Sequence, residues 1–125
     1  MSRARGAAAC LLLAALFTVG IAAARSAADL LPEVAASALP LEARRTLESV
    51  ASGGPYPYQR DGVVFANREH RLPPHPRGYY HEYTVKTPGV NTRGARRIIC
   101  GGGLGSIAEC YYTDDHYQSF RRIRP

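Results

Sequence analysis

The segment Tyr79-Tyr80-His81-Glu82-Tyr83-Thr84-Val85 sets one carboxylate among aromatic and β-branched residues, and Arg93, Arg96 and Arg97 follow it closely. Such a composition reads as a β-strand. Packing does not explain Glu82, because a carboxylate left unpaired in apolar surroundings costs on the order of several kcal/mol. Near the C-terminus, Asp115-His116-Tyr117 adds an imidazole between an acid and an aromatic ring. A carboxylate can take a proton, an imidazolium can give one, and guanidinium groups grip phosphate oxygens through paired N–H donors. The combination suits acid–base chemistry at a phosphodiester.

Period-two alternation predicts Tyr80, Glu82 and Thr84 on one face of the strand and Tyr79, His81, Tyr83 and Val85 on the other. The second, greasier face is expected to meet a helix, which leaves Glu82 on an open face where a substrate could lie. The same alternation separates Arg97 from Arg96 on the following strand. Facing side chains of antiparallel neighbours stand about 5 Å apart. An Arg beside Glu82 would favour the carboxylate form that a general base needs and could also contact a phosphate. A cross-strand ion pair fits the same spacing. Of the four histidines, His70 and His75 fall in loops and His81 on the packed face. His116, in a turn, is left as the candidate proton donor.

These groups need a frame, and the chain offers an α+β one: a single N-terminal helix packed on a small antiparallel β-sheet. Leu39, Ala43, Leu47 and Val50 fall at helical spacing, with Pro40 in the first turn, Glu42 near the positive end and Gly53-Gly54 as the stop. Arg44, Arg45 and Glu48 form its solvated face. An edge strand is expected near Glu33–Ser37, and Gly53–Arg60 is a proline-broken loop. Asp61-Gly62 turns into Val63-Val64-Phe65, read as a short buried strand. A second proline-rich loop, Leu72–Pro76, precedes the Tyr79–Val85 strand. Further strands are expected at Arg96–Cys100, Cys110–Thr113 and Ser119–Ile123.

The front of the chain reads as a leader. Met1–Arg5 is basic, Gly6–Ala24 carries no charge, and Ala22-Ala23-Ala24 and Ser26-Ala27-Ala28 offer small residues for cleavage. An uncleaved anchor is the competing reading, since about 20 apolar residues can span a bilayer. The chain therefore divides into a signal peptide at 1–24, a mature N-terminal segment at 25–36 and a domain at 37–125. It is expected to be secreted, extracellular and free of membrane once cleaved. Two of its 16 Lys+Arg and none of its 10 Asp+Glu leave with the leader, so the mature excess is about +4. Arginine supplies nearly all of it, Lys86 being the sole lysine. Cys10 also leaves. Cys100 and Cys110 could bridge in an oxidising compartment, or Cys100 could be a buried free thiol. No zinc-type spacing is present.

From about Leu39 to Ile123 the chain resembles the bacterial guanyl-specific ribonucleases, the barnase-like microbial ribonuclease family and its ribonuclease Sa branch in particular. The matching pieces are Gly54–Tyr58, Asp61–Phe65, Asn67-Arg68-Glu69, Gly78–Val85, Thr92-Arg93-Gly94, Arg96–Gly101 and Tyr111-Tyr112-Thr113 with Asp115-His116-Tyr117. The resemblance implies an endoribonuclease that cleaves single-stranded RNA after guanosine, without metal or other cofactor, as a monomer. Glu82 would deprotonate a ribose 2′-hydroxyl, His116 would protonate the leaving 5′-oxygen, and Arg93 and Arg97 would hold the phosphate oxygens. The 2′,3′-cyclic phosphate would then open to a 3′-phosphate with the acid–base roles reversed. DNA lacks the attacking hydroxyl.

The same resemblance implies a guanine pocket after Phe65. Glu69 would accept the N1 and N2 hydrogens, backbone amides of Asn67 and Arg68 would face O6, and Phe65 and Arg68 would flank the ring. Tyr80 and Tyr117 would line the phosphate site. A partnership of Glu69 with Arg68 or Arg71 on a solvated loop is the plain alternative. Four departures from the family pattern stand out. Ala66 replaces a glutamine, Arg60 replaces a neutral residue near the phosphate, Asp114 replaces a glycine, and Ala35 takes the first half of a terminal disulfide. A Cys100–Cys110 bridge is expected to compensate in part. By family analogy, a barstar-like proteinaceous inhibitor is a further expected partner, its acidic surface suited to an arginine-lined cleft. Two other classes compete: a non-catalytic RNA- or nucleotide-binding module with a degraded site, and a membrane-anchored basic interaction protein.

Overall fold

The computed structural model describes Leu11, residues 13–18, Gly20 and residues 30–125. Much of the leader at 1–24, and the whole cleavage region, lies outside the described residues. Among those described, no helix is long and apolar enough to cross a membrane.

Five strands form one sheet: β1 (Glu33–Ala35), β2 (Tyr80–Thr84), β3 (Arg97–Gly101), β4 (Glu109–Thr113) and β5 (Arg121–Arg124), in the order β1-β5-β4-β3-β2. β1 runs parallel to β5, and the other pairs are antiparallel. The pairing of β1 places part of segment 25–36 inside the sheet, so the folded unit begins before residue 37. Helix α1 spans Leu41–Ser52. Pro40 is its N-cap, one step ahead of the expected first turn, and Gly53 closes it at φ 80, a left-handed conformation that glycine adopts without strain. Leu39, Ala43 and Val50 pack there on Tyr83, Val85, Ile98, Cys100, Cys110 and Tyr112. This is the greasy face expected of the second strand.

The opposite face is not open. Leu72, Tyr80, Ile99, Tyr111 and Phe120 form a second buried cluster, flanked by Phe65, Tyr79 and Tyr117. Tyr79 thus packs away from the helix, against expectation, because it precedes β2 and escapes its alternation. Its ring lies so close to Gly101 that any Cβ there would collide with it. His81 is half-buried, its Nδ1 2.9 Å from the Gly62 carbonyl.

Val63–Phe65 is not a buried strand. It makes a single bridge, Val64 to His81, and Val64 is 41% exposed. The segment nevertheless runs along the free edge of β2: Gly62 N–H donates to Glu82 O, Glu82 N–H to Val63 O, and Phe65 N–H to Tyr80 O. Asn67, at φ 51, then turns the chain away. Cys100 and Cys110 stand directly opposite on β3 and β4 and are joined by a disulfide. Their 4.2 Å Cα separation is that of the closer kind of antiparallel pair.

Candidate active site

Glu82 sits on β2 in register with Ile99, on the face shared by Thr84 and Arg97. The carboxylate is nearly buried, at 7% exposure. Two guanidinium groups compensate it, each with a terminal nitrogen 3.8 Å from Oε1: Arg93 and Arg60. The Tyr117 hydroxyl donates to Oε2 at 3.1 Å. Burial first, and the Glu82 charge second, push the Tyr117 phenol above its ordinary range, which keeps it a neutral donor.

Arg93 is aimed by Thr84. Its Nε and one terminal nitrogen both donate to Thr84 Oγ1, at 3.2 and 2.9 Å. Thr84 is fixed in turn by Asp61, whose Oδ1 accepts the Thr84 amide at 2.7 Å while Oδ2 accepts the Tyr58 amide at 3.1 Å. That double anchor also holds the turn carrying Arg60. Arg97 is 2% exposed and donates to the carbonyls of Gly94 and Arg96 at 3.0 and 2.8 Å. Its Nε is buried without a hydrogen-bond partner, an unusual state for an N–H group. The guanidinium carbon lies 6.0 Å from the centre of the Tyr117 ring.

His116 is exposed, and its ring centre is 4.8 Å from that of Tyr117. Both residues take left-handed φ, 54° and 70°, each costing on the order of 1–3 kcal/mol outside glycine. A dense set of ties holds them there. His116 N–H donates to Ala95 O at 3.1 Å, and Tyr117 N–H to Thr113 Oγ1 at 3.2 Å. Asp115 accepts from Thr113, from the Ser119 amide and from the Ser119 hydroxyl. The Ser119 bonds chiefly, against a small desolvation effect, hold the Asp115 carboxyl down at about 2.

Between these elements opens a cavity of about 290 Å³, lined by Glu82, Arg60, Tyr117 and residues 64–69. Phe65 stacks on Tyr117 at 5.4 Å and meets Phe120 edge-on at 6.1 Å, which makes an apolar floor. The Asn67 side chain is committed to its own loop, donating to Leu72 O and accepting the Leu72 amide. Asn67 therefore has only main-chain groups to offer a ligand. Glu69 is among the residues lining the cavity and pairs with Arg71.

A model of a ribonuclease family matches residues 23–124. The chain belongs to that ribonuclease family. It is 57% identical over 95 residues to guanyl-specific ribonuclease Sa of Kitasatospora aureofaciens, covering 76% of this chain and 96% of that protein. Guanyl-specific ribonuclease Sa3 of the same organism is 62% identical over 87 residues, or 70% of this chain; the match spans 60% of Sa3. Among solved structures, ribonuclease Sa2 in complexes with mononucleotides superposes with a TM-score of 0.71 at 53% identity, covering 76% of this chain and 95% of that one. Ribonuclease Sa2 with guanosine-2′-cyclophosphate gives 0.69 at 52%, over 76% and 97%.

Within this ribonuclease-family fold, Phe65, Asn67, Arg68, Glu69, Glu82 and Tyr117 line one cavity. Arg93, Arg97 and His116 join it through their contacts with Glu82 and Tyr117. Tyr80 does not. It is 3% exposed, and its hydroxyl donates to Pro73 O at 2.6 Å, so it belongs to the second core. The alternation that put Tyr80 on the face of Glu82 was right, but loop 72–76 covers that end of the face. Sequence reasoning missed Phe120 and Arg71 as lining residues. Phe120 carries no sequence signal, whereas the Glu69-x-Arg71 spacing was visible as a mere ion pair.

Proposed function

We propose that the chain is a secreted, monomeric endoribonuclease that cleaves single-stranded RNA after guanosine and needs no metal. The observation that carries this reading is the near-buried Glu82 carboxylate, held near Arg93 and Arg60 and lining the same cavity as Phe65–Glu69. A guanine against Glu69 and the Phe65 ring places its own 3′-phosphate toward Glu82. Glu82 removes the 2′-hydroxyl proton, O2′ attacks phosphorus, and His116 gives a proton to the departing 5′-oxygen. The bond from phosphorus to O5′ breaks as the bond to O2′ forms, leaving a 2′,3′-cyclic phosphate. Water then opens the ring with the two roles exchanged, yielding a 3′-phosphate. Each positioned acid or base contributes roughly 10²–10⁴-fold. Arg93, and the unpartnered Nε of Arg97, supply preorganised donors to the phosphoryl oxygens as charge grows on them.

Ribonuclease Sa2 has been solved with guanosine-2′-cyclophosphate and with 3′-GMP, which correspond in kind to this intermediate and product. Export rests on the leader pattern of residues 1–24. The arginine-lined cavity mouth suits an acidic proteinaceous inhibitor as partner. Digestion of a defined RNA in a chelator, with analysis of the new ends, tests the activity. Cyclic and 3′-phosphates after guanosine are expected. Cleavage after other bases, 5′-phosphate ends or dependence on a divalent ion would overturn it.

A further inference from the structure

Arg71 is not used by the proposed mechanism, yet it lies on the cavity wall with both of its partners in the site. One terminal nitrogen pairs with Glu69 Oε2 and donates at 3.1 Å to the carbonyl of Tyr117, 46 residues away. The chemistry of the pairing is informative. The guanidinium gives an N–H to Glu69 Oε2, an oxygen that could otherwise accept an N–H from the N1–H/N2–H edge of guanine. We propose that Arg71 is a specificity-determining residue that occupies the base-recognition carboxylate Glu69 in the free protein, as an internal stand-in for guanine. This rests on the reading of Glu69 as the guanine acceptor.

The geometry makes the competition soft rather than blocking. The side chains of Glu69 and Arg71 are 66% and 36% exposed, so the pair is screened by water, and such pairs contribute little. Displacement of Arg71 therefore weakens guanine binding by roughly two- to fivefold, the range that an exposed ion pair converts to. A base that offers no donor pair to Glu69 does not displace Arg71 and escapes this effect. The same guanidinium keeps its hold on the Tyr117 carbonyl, so the His116–Tyr117 turn need not loosen when guanine enters.

Uncharged guanosine is the appropriate probe, because it reports on the base site without the phosphate contacts. Titration calorimetry of Arg71→Val should show guanosine bound roughly two- to fivefold more tightly than by the unaltered protein, with inorganic phosphate binding unchanged. Arg71→Lys, which keeps the positive charge on a shorter side chain, should fall between. In the unaltered protein, raising salt should tighten guanosine binding by screening the internal pair, whereas Arg71→Val should respond little. This salt series needs no variant to fold. Guanosine affinity that is unchanged or weakened in Arg71→Val, or that does not rise with salt in the unaltered protein, overturns the inference. Failure to prefer guanosine over adenosine, together with no cleavage after guanosine, would instead remove the reading of Glu69 on which it rests.

Discussion

Replacing Thr84 by valine tests how much of the chemistry depends on one hydroxyl that touches no substrate. Thr84 Oγ1 is the acceptor for two Arg93 donors, at 2.9 and 3.2 Å, and Arg93 reaches the Glu82 carboxylate at 3.8 Å. Valine keeps the shape of a side chain that is 3% exposed, and the backbone bonds of Thr84 to Asp61 and Thr46 do not involve the hydroxyl. The loss is thus confined to the aim of Arg93. Hydrogen bonds to charged groups contribute about 1.5–3 kcal/mol. The Arg93 side chain is 26% exposed, so water recovers part of this and the lower end applies. About 1.4 kcal/mol is tenfold, so kcat/KM on a guanylyl dinucleotide should drop roughly tenfold, with kcat carrying most of it if Arg93 acts on developing charge. The Kd for guanosine should stay unchanged. A Thr84→Val protein that is folded, binds guanosine normally and turns over within twofold of the original would refute the positioning of Arg93 by Thr84.

Glu82→Gln and His116→Ala should each lower kcat by roughly 10²–10⁴ in both transesterification and cyclic-phosphate hydrolysis, while 3′-GMP still binds; retained turnover in either would exclude that residue from proton transfer. Joint replacement of Cys100 and Cys110 by alanine opens a loop with sequence separation 10, a loss of about 3 kcal/mol from constraint of the unfolded chain. Urea unfolding should report it, and a loss below about 1 kcal/mol would contradict it. Asp115 titrates at about 2 in the folded chain, below its ordinary value near 3.9. Its depressed folded value makes its stabilisation present above about pH 4 and lost as pH falls through 2. The melting-temperature gap between the original chain and Asp115→Asn should therefore be full at pH 5 and close by pH 2; a gap that widens on acidification would reverse the assignment.

Helix α1, the positions of most strands along the chain and the face carrying Glu82 were legible because hydrophobic period and turn residues act locally, whereas the parallel pairing of β1 with β5 was not. Tyr83 and Val85 meet the helix as the alternation requires. Legibility fails where distant segments meet. Tyr80 shares the face of Glu82 but lies under the Pro73 carbonyl, and no local pattern tells how far a proline-rich loop will fold over a sheet. Val63–Phe65 reads as a strand by composition, yet Val64 is exposed and lines the cavity, because the segment follows β2 through only a few amide bonds. The Asp61–Thr84 and Arg71–Tyr117 contacts join residues 23 and 46 positions apart, a separation over which period and propensity carry no information.

The carbonyls of Glu82 and Tyr80 and the amide of Glu82 all engage residues 62–65, so the segment leading into the proposed base site is stitched by main chain to the strand that carries the proposed general base. The spacing between Phe65 and Glu82 is thereby set by peptide units rather than by side chains. On the proposed reading, a replacement at Glu69 would alter the base contact and leave the bonds that place Glu82 in register intact.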